Sequence, residues 1–175
     1  MIDYYAPIIP YVGMAGILLY SKEEEVNKIV SLDNAEKKIL NDKWIRYDID
    51  NAVELFFHKI NGKLFRITTL EDYKGKLFEK IKVGMTVEDL IEYDSSFYYD
   101  EFEEVYESDK GIFIETDPQT NTVKWISVYI KELDDKNFDD GQWWYKFFRN
   151  GILNRTRKIG NHPWTIPHLL DSMIY

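Results

Sequence analysis

Acidic and aromatic side chains alternate through the segment FYYDEFEEVYESD, residues 97–109. The longer stretch from Glu88 to Asp109 contains ten acidic residues and no Lys or Arg. Carboxylates accept paired hydrogen bonds from Arg, and Tyr gives contact area at a low entropy cost. The pattern favours a surface that binds a basic protein, and the alternative is a solvated edge whose charges prevent aggregation. The predicted binding residues are Tyr98, Tyr99, Asp100, Glu101, Glu103, Glu104, Tyr106 and Glu107.

No catalytic or metal-binding motif accompanies these acids. The chain has no Cys, no Gly-x-Ser-x-Gly elbow and no His-Glu-x-x-His motif, and its histidines at 58, 162 and 168 do not have ligand spacing. The calcium-loop pattern is absent around Asp94–Asp109 and Asp134–Gly141. We therefore expect no catalytic residue, metal or cofactor, and no enzyme activity. A hydrolase or lyase that uses an unassigned pair of carboxylates is the alternative.

The charge is distributed unevenly along the 175 residues, whose net charge is −9. Residues 88–140 contain 17 acidic and four basic side chains, whereas residues 141–175 contain five basic and one acidic. An acidic protein is repelled by phosphate backbones, so we expect no nucleic-acid partner. Binding of nucleic acid by the C-terminal basic residues is less favoured than their pairing with the acidic middle of the chain. Those residues are Arg155, Arg157, Lys158 and the neighbouring Trp164.

Composition indicates a folded cytoplasmic protein with a single domain over residues 1–175. Hydrophobic residues make up 45% of the chain and aromatic residues 16%, which argues against disorder. The absence of Cys fits a reducing compartment. The apolar stretch Ile8–Tyr20 contains Pro10, Gly13 and Gly16, is too short to span a bilayer and lacks a basic flank. We therefore expect no membrane attachment.

Two similar units must position the acidic segment. In residues 16–72, Ser21 with Glu24 predicts the start of a helix, and strands are predicted at 44–50, 52–59 and 63–70, with an Asn-Gly turn at 61–62.

In residues 80–133, Thr86 with Asp89 predicts a second capped helix, and strands are predicted at 102–108, 111–117 and 123–130. The fold prediction is α+β, with an antiparallel sheet of five to seven strands, helices on one face, and two tandem helix-plus-three-strand units. An accidental recurrence of helix followed by hairpin is the alternative to a true repeat.

The C-terminal segment, residues 138–175, is rich in Trp and Phe and carries the basic residues. A short helix is predicted to end at Gly151, and Pro163 and Pro167 interrupt any longer helix. We expect this segment to pack back on the sheet, since its aromatic side chains would otherwise form a large exposed patch.

Residues 82–133 resemble a known class of proteins in three segments: VGMTVEDL, EEVYESDKGIFIETD and VKWISVYIKEL. The pattern is similar to small acidic immunity proteins of bacterial polymorphic-toxin and contact-dependent inhibition systems. The resemblance covers under a third of the chain. It implies a cytoplasmic, non-enzymatic protein that binds and blocks a cognate toxin domain such as a nuclease, with no shared catalytic residues. A structural module that self-associates through its aromatic C-terminal segment is a further alternative.

Overall fold

The structure is a computed structural model that describes residues 1–141. The strands are β1 Gly13–Met14, β2 Ile17–Leu18, β3 Glu36–Ile39, β4 Trp44–Ile49, β5 Val53–His58, β6 Lys63–Thr69, β7 Tyr98–Asp100, β8 Val105–Ser108, β9 Ile112–Asp117 and β10 Thr122–Tyr129. The helices are α1 Glu23–Asn27 and α2 Val87–Tyr93, and 3₁₀ turns lie at Leu32–Asn34, Lys131–Asp134 and Phe138–Asp140. Strands β3 to β10 form one antiparallel sheet in the order β3-β4-β5-β6-β10-β9-β8-β7, and β1 pairs with β2 in a small separate sheet. The α+β prediction is therefore confirmed.

The main sheet has eight strands, one more than the upper limit of the prediction. All six predicted segments contain a strand, and the two strands that were missed, β3 and β7, lie at the two outer edges. Their sequences, EKKI and YYD, are short and largely polar or exposed. Such segments lack a hydrophobic alternation because neither face of these edge strands is well buried. Each half is thus a helix followed by four strands, where three were expected.

The two halves attach their helices to their last strands through equivalent hydrogen bonds. In the first half, the Leu64 N–H donates to the Ser21 carbonyl at 2.8 Å. In the second half, the Val123 N–H donates to the Met85 carbonyl at 2.7 Å. Leu64 and Val123 are each the second residue of their strand, and Ser21 and Met85 each lie two residues before their helix. The start of each helix is therefore fixed to the strand that joins the halves.

The halves meet at the pairing of β6 with β10. Thr68 lies directly opposite Ser127, and their hydroxyl oxygens are 2.7 Å apart in a buried position. This pair occupies the centre of a row of register partners that crosses all eight strands from Glu36 in β3 to Tyr98 in β7. Strands of distant sequence thus form one continuous sheet, which places β7 at one outer edge.

Both final strands contain a β-bulge at the same distance from their start. The extra residue is Phe65 in β6 and Lys124 in β10. Simple alternation predicts that Val123 shares a face with Trp125. The bulge instead turns Val123 toward the face of Ile126, where it is buried, because the extra residue shifts the alternation by one position.

The two faces of the sheet differ in chemistry. One face is aliphatic and fully buried, and its members include Leu55, Ile67, Ile112, Ile114, Ile126 and Val128. The opposite face, called the charged face below, includes Arg46, Glu54, Phe56, Arg66, Phe113 and Glu115. Burial of the aliphatic face supplies the main hydrophobic contribution to stability.

Both helices are short and begin with a polar cap. Helix α2 begins as predicted, because the Thr86 hydroxyl accepts a hydrogen bond from the Asp89 N–H at 3.1 Å. Helix α1 begins one residue later than predicted, with Lys22 at the cap position. There the Glu25 carboxylate accepts from the Lys22 N–H at 2.6 Å. Each helix is held to the protein by a fully buried residue, Val26 in α1 and Leu90 in α2.

Aromatic residues attach the segments before and after the main sheet to the rest of the protein. Tyr73 donates its hydroxyl hydrogen to the Ala6 carbonyl at 2.7 Å and accepts from the Ala15 N–H at 2.9 Å. Phe138 packs against Phe65, with ring centres 5.1 Å apart. The remainder of the C-terminal segment, residues 142–175, lies outside the described residues. The short helix predicted there, the basic residues and the two prolines all fall in this part.

Candidate protein-binding surface

The predicted binding residues lie together on the β7–β8 hairpin at the outer edge of the sheet. Residues Tyr98–Asp100 form β7, residues 101–104 form the turn, and Tyr106 and Glu107 lie in β8. The side of β7 that faces away from β8 pairs with no other described strand. The hairpin therefore presents side chains together with a free strand edge.

The tyrosines of the hairpin point to both faces of the sheet. Tyr98 is opposite Glu107 and donates its hydroxyl hydrogen to that carboxylate at 3.0 Å, and this bond raises the pKa of Tyr98. Tyr99 is opposite Tyr106, with ring centres 5.0 Å apart. Cross-strand alternation thus places one tyrosine beside a carboxylate and stacks the other two on the reverse face.

The turn of the hairpin is built around Asp100. Its Oδ1 atom accepts hydrogen bonds from the Phe102 N–H at 2.8 Å and from the Glu103 N–H at 3.0 Å. Glu104 completes the turn with a positive φ of 57°. One of the predicted binding acids therefore also shapes the turn, an ordinary role for Asp.

Three acids of the turn remain available to a partner. Glu101, Glu103 and Glu104 are exposed, and within residues 1–141 they form no ion pair. The nearest cation in sequence, Lys110, is already paired with Asp94 at 2.6 Å. Burial would raise the pKa of Asp94, but the bonds from Lys110 and Ser96 outweigh burial and lower it.

The acidic stretch is consequently divided into two parts. Glu88 and Asp89 lie in the first turn of α2, where carboxylates interact favourably with the helix dipole. The acids of the hairpin lie on a different element, at the edge of the sheet. The hairpin combines unpaired carboxylates with the exposed side chains of Tyr98, Tyr99 and Phe102.

Phe102 belongs to this surface and is absent from the predicted set. Its side chain is 91% exposed, compared with 56% for Tyr98 and 48% for Tyr99. A Phe at the tip of a hairpin is exposed to water in the free protein, and its burial against a partner would be favourable. Phe102 is therefore a candidate anchor for a partner. The available signal was its position between two pairs of acids, a setting that makes burial unfavourable.

A hydrolase or lyase that uses a pair of carboxylates would need acids with raised pKa values. Burial raises the pKa of both Glu54 and Glu115 on the charged face. Glu54 is held by Arg46, whose Nη1 lies 3.0 Å from its Oε1. Glu54 lies in β5 and Glu115 in β9, with β6 and β10 between these strands in the sheet. No substrate is assigned to the pair, so the hydrolase or lyase remains a prediction.

Residues 1–141 contain neither a metal-binding cluster nor a helix suited to crossing a membrane. Within residues 1–141, no group of three or more His, Asp or Glu side chains is arranged to hold a metal ion. His58 packs against Phe138 with ring centres 5.4 Å apart, and burial lowers its pKa. His162 and His168 are outside the described residues. None of the helices in residues 1–141 has the length and apolar character required to cross a membrane.

Comparison with known proteins gives no family assignment. No protein-family model matches the chain, and no curated protein matches it. One solved structure with a similar arrangement is a cysteine-rich secretory protein from Staphylococcus aureus subsp. aureus Mu50. It is 12% identical, with a TM-score of 0.45, and the match covers 72% of this chain. The chain spans 48% of the length of that protein.

Proposed function

We propose that this chain is a non-enzymatic binding protein that captures a basic protein through the β7–β8 hairpin. The observation that carries the proposal is the combination on one edge of Glu101, Glu103 and Glu104 with exposed aromatic side chains. Unpaired carboxylates attract cationic side chains at long range, and the aromatic residues supply apolar contact after docking.

The class of protein we propose is a cytoplasmic immunity protein that neutralises a bacterial toxin by blocking it. The sequence resemblance over residues 82–133 supports this class, and that range includes the whole hairpin. A nuclease toxin would suit the surface, because nucleases carry basic grooves that bind phosphate backbones. The acidic hairpin would occupy such a groove in place of the nucleic acid.

The proposal predicts a toxin domain encoded beside this chain in its genome, and the test measures association with that domain. The variant Glu103→Lys/Glu104→Lys reverses the charge of the turn. We expect its association rate to fall about tenfold or more at low ionic strength, because steered association depends on these charges. The difference should disappear near 1 M salt, where the screening length is about 3 Å.

A matched control separates the hairpin from overall charge. Glu24 and Glu71 are exposed acids outside the hairpin. The variant Glu24→Lys/Glu71→Lys changes the net charge by the same amount and should slow association much less. Equal slowing by both variants would assign the effect to net charge and not to the hairpin. The absence of any complex with the wild-type protein would refute the proposed function.

A further inference from the structure

A cleft of about 480 Å³ opens on the charged face of the sheet. Aromatic side chains form much of its lining, from Trp44 in β4 to Phe113 in β9, with Phe65 and Phe138 between them. Arg66 also lines the cleft, and Glu103 of the hairpin turn reaches its rim. Its volume falls in the range of small-molecule sites, which are typically apolar with a few polar groups.

Arg66 contacts aromatic rings of the cleft and, among the described residues, forms no ion pair with a carboxylate. Its guanidinium carbon lies 3.5 Å from the ring centre of Phe56 and 5.5 Å from that of Phe113. Among residues 1–141 no acceptor is bonded to its buried Nε, and no carboxylate lies within 4.0 Å of the guanidinium. A buried cation without a bonded acceptor carries a desolvation cost.

Arg46, on the same face, provides the internal comparison. Its Nε lies 2.7 Å from the Asp48 carboxylate, and its Nη1 lies 3.0 Å from Glu54. Arg46 thus forms ion pairs with two carboxylates of the charged face. Glu54 and Glu115 act on Arg66 electrostatically, but within residues 1–141 neither lies within 4.0 Å of its guanidinium, and no side-chain hydrogen bond of Arg66 is formed.

Trp44 supplies a second unused donor in the same lining. Its indole Nε1 is buried, and within the described residues no acceptor is bonded to it. The Trp44 ring itself packs against Phe65, with centres 5.4 Å apart. Two buried N–H donors therefore lie in one aromatic cleft, and each lacks the acceptor that such groups normally have.

We propose that this cleft binds a small organic anion, specifically a monocarboxylate on an aromatic body. The carboxylate would accept from Arg66 in the paired geometry that guanidinium favours, and the aromatic body would lie among the rings of the lining. Trp44 would donate a further hydrogen bond to one of the same carboxylate oxygens. A doubly charged phosphate fits less well, because Glu103 and Asp139 line the same cleft and would repel it.

Binding to the full chain would be measured by titration calorimetry with three probes. These are 2-naphthoate, the neutral 2-naphthalenemethanol and inorganic phosphate. We expect 2-naphthoate to bind at least about tenfold more tightly than the alcohol, since only the carboxylate satisfies Arg66. Phosphate should bind more weakly than 2-naphthoate. Equal affinity for acid and alcohol, or tighter binding of phosphate, would overturn the assignment.

Variants identify the groups responsible. Arg66→Gln should weaken 2-naphthoate binding about tenfold or more, whereas Lys28→Gln, an equal loss of charge at an exposed position, should leave it unchanged. Trp44→Phe keeps an aromatic ring but removes the N–H, and should weaken binding about threefold to tenfold. Near-ultraviolet circular dichroism checks that each variant is folded, and Arg66→Lys replaces Arg66→Gln if the latter unfolds. Unchanged affinity in a folded Arg66 variant, or no binding of 2-naphthoate up to about 10 mM, would refute the proposal.

Discussion

Replacing Tyr73 by Phe removes a single oxygen atom that serves two backbone partners, one buried and one partly buried. The side chain is 2% exposed, and its hydroxyl connects the Ala6 carbonyl to the Ala15 N–H. A buried polar group left without its partner costs about 1–3 kcal/mol. Because Tyr73→Phe leaves one donor and one acceptor unsatisfied, we expect the free energy of unfolding to fall by about 3 kcal/mol. That loss is a large part of the 5–15 kcal/mol typical of a folded domain.

Urea unfolding followed by circular dichroism measures this loss. The midpoint should fall while the slope with denaturant stays constant, since the substitution does not change the surface exposed on unfolding. Tyr5→Phe is the matched control, because Tyr5 is 77% exposed and should change stability by less than about 0.5 kcal/mol. A Tyr73→Phe variant as stable as the Tyr5→Phe control would refute the reasoning that the two hydrogen bonds hold the N-terminal segment.

The same residue predicts how stability changes at alkaline pH. Burial raises the pKa of Tyr73 to about 12, whereas an unfolded tyrosine titrates near 10. Between these values the folded protein keeps the proton that the unfolded chain releases. The stabilisation by Tyr73 is therefore complete below about pH 10 and decreases as pH rises toward 12, by about 1.4 kcal/mol per unit. Wild type should lose this amount relative to Tyr73→Phe over that range, and parallel pH profiles would contradict the shift.

Two further sets of substitutions test the cap of α2 and the pairing of β6 with β10, where the halves meet. Thr86→Ala removes the acceptor for the Asp89 N–H and should lower the free energy of unfolding by about 1 kcal/mol. Thr86→Ser keeps the hydroxyl and should retain most of this stabilisation. Equal losses of stability for the two variants in a urea titration would exclude the capping role. Thr68→Val and Ser127→Ala each leave one buried hydroxyl without its hydrogen-bond partner. Together they should cost at least about 1 kcal/mol less than the sum of the single changes, and strict additivity in a double-mutant cycle would contradict the 2.7 Å bond.

Strands with strong local signals could be predicted from the sequence. The run VELFFH of β5 illustrates this. The Asn-Gly signal marked the hairpin between β5 and β6, but the connection is a four-residue loop, 59–62, in which Gly62 has a positive φ of 66° and Asn61 does not. Strands β3 and β7 could not be predicted in the same way. Their sequences have no alternating apolar pattern, and each becomes a strand through pairing with a neighbour that is already extended.

The candidate binding surface was only partly accessible to prediction. The alternation of acids and tyrosines indicated the segment that contains the hairpin, but the division of Tyr98 and Tyr99 between opposite faces depends on the register with β8. The cleft beside Arg66 could not be foreseen. Its lining comes from Trp44, Phe113 and Phe138, which are far apart in sequence and meet only because β6 pairs with β10.

The sequence by itself determined the local features of this protein: the cap at Thr86, the central strands, and the concentration of acids between 88 and 109. These depend on neighbouring residues, whose backbone preferences and alternation act over short distances. Only the tertiary structure decided that the two halves join through Thr68 and Ser127 and that the acidic hairpin lies at an outer edge of the main sheet. Within residues 1–141 it likewise left Arg66 without a carboxylate ion pair, whereas Arg46 has two. Strand order and the pairing of charges depend on contacts between distant segments, which no local pattern specifies.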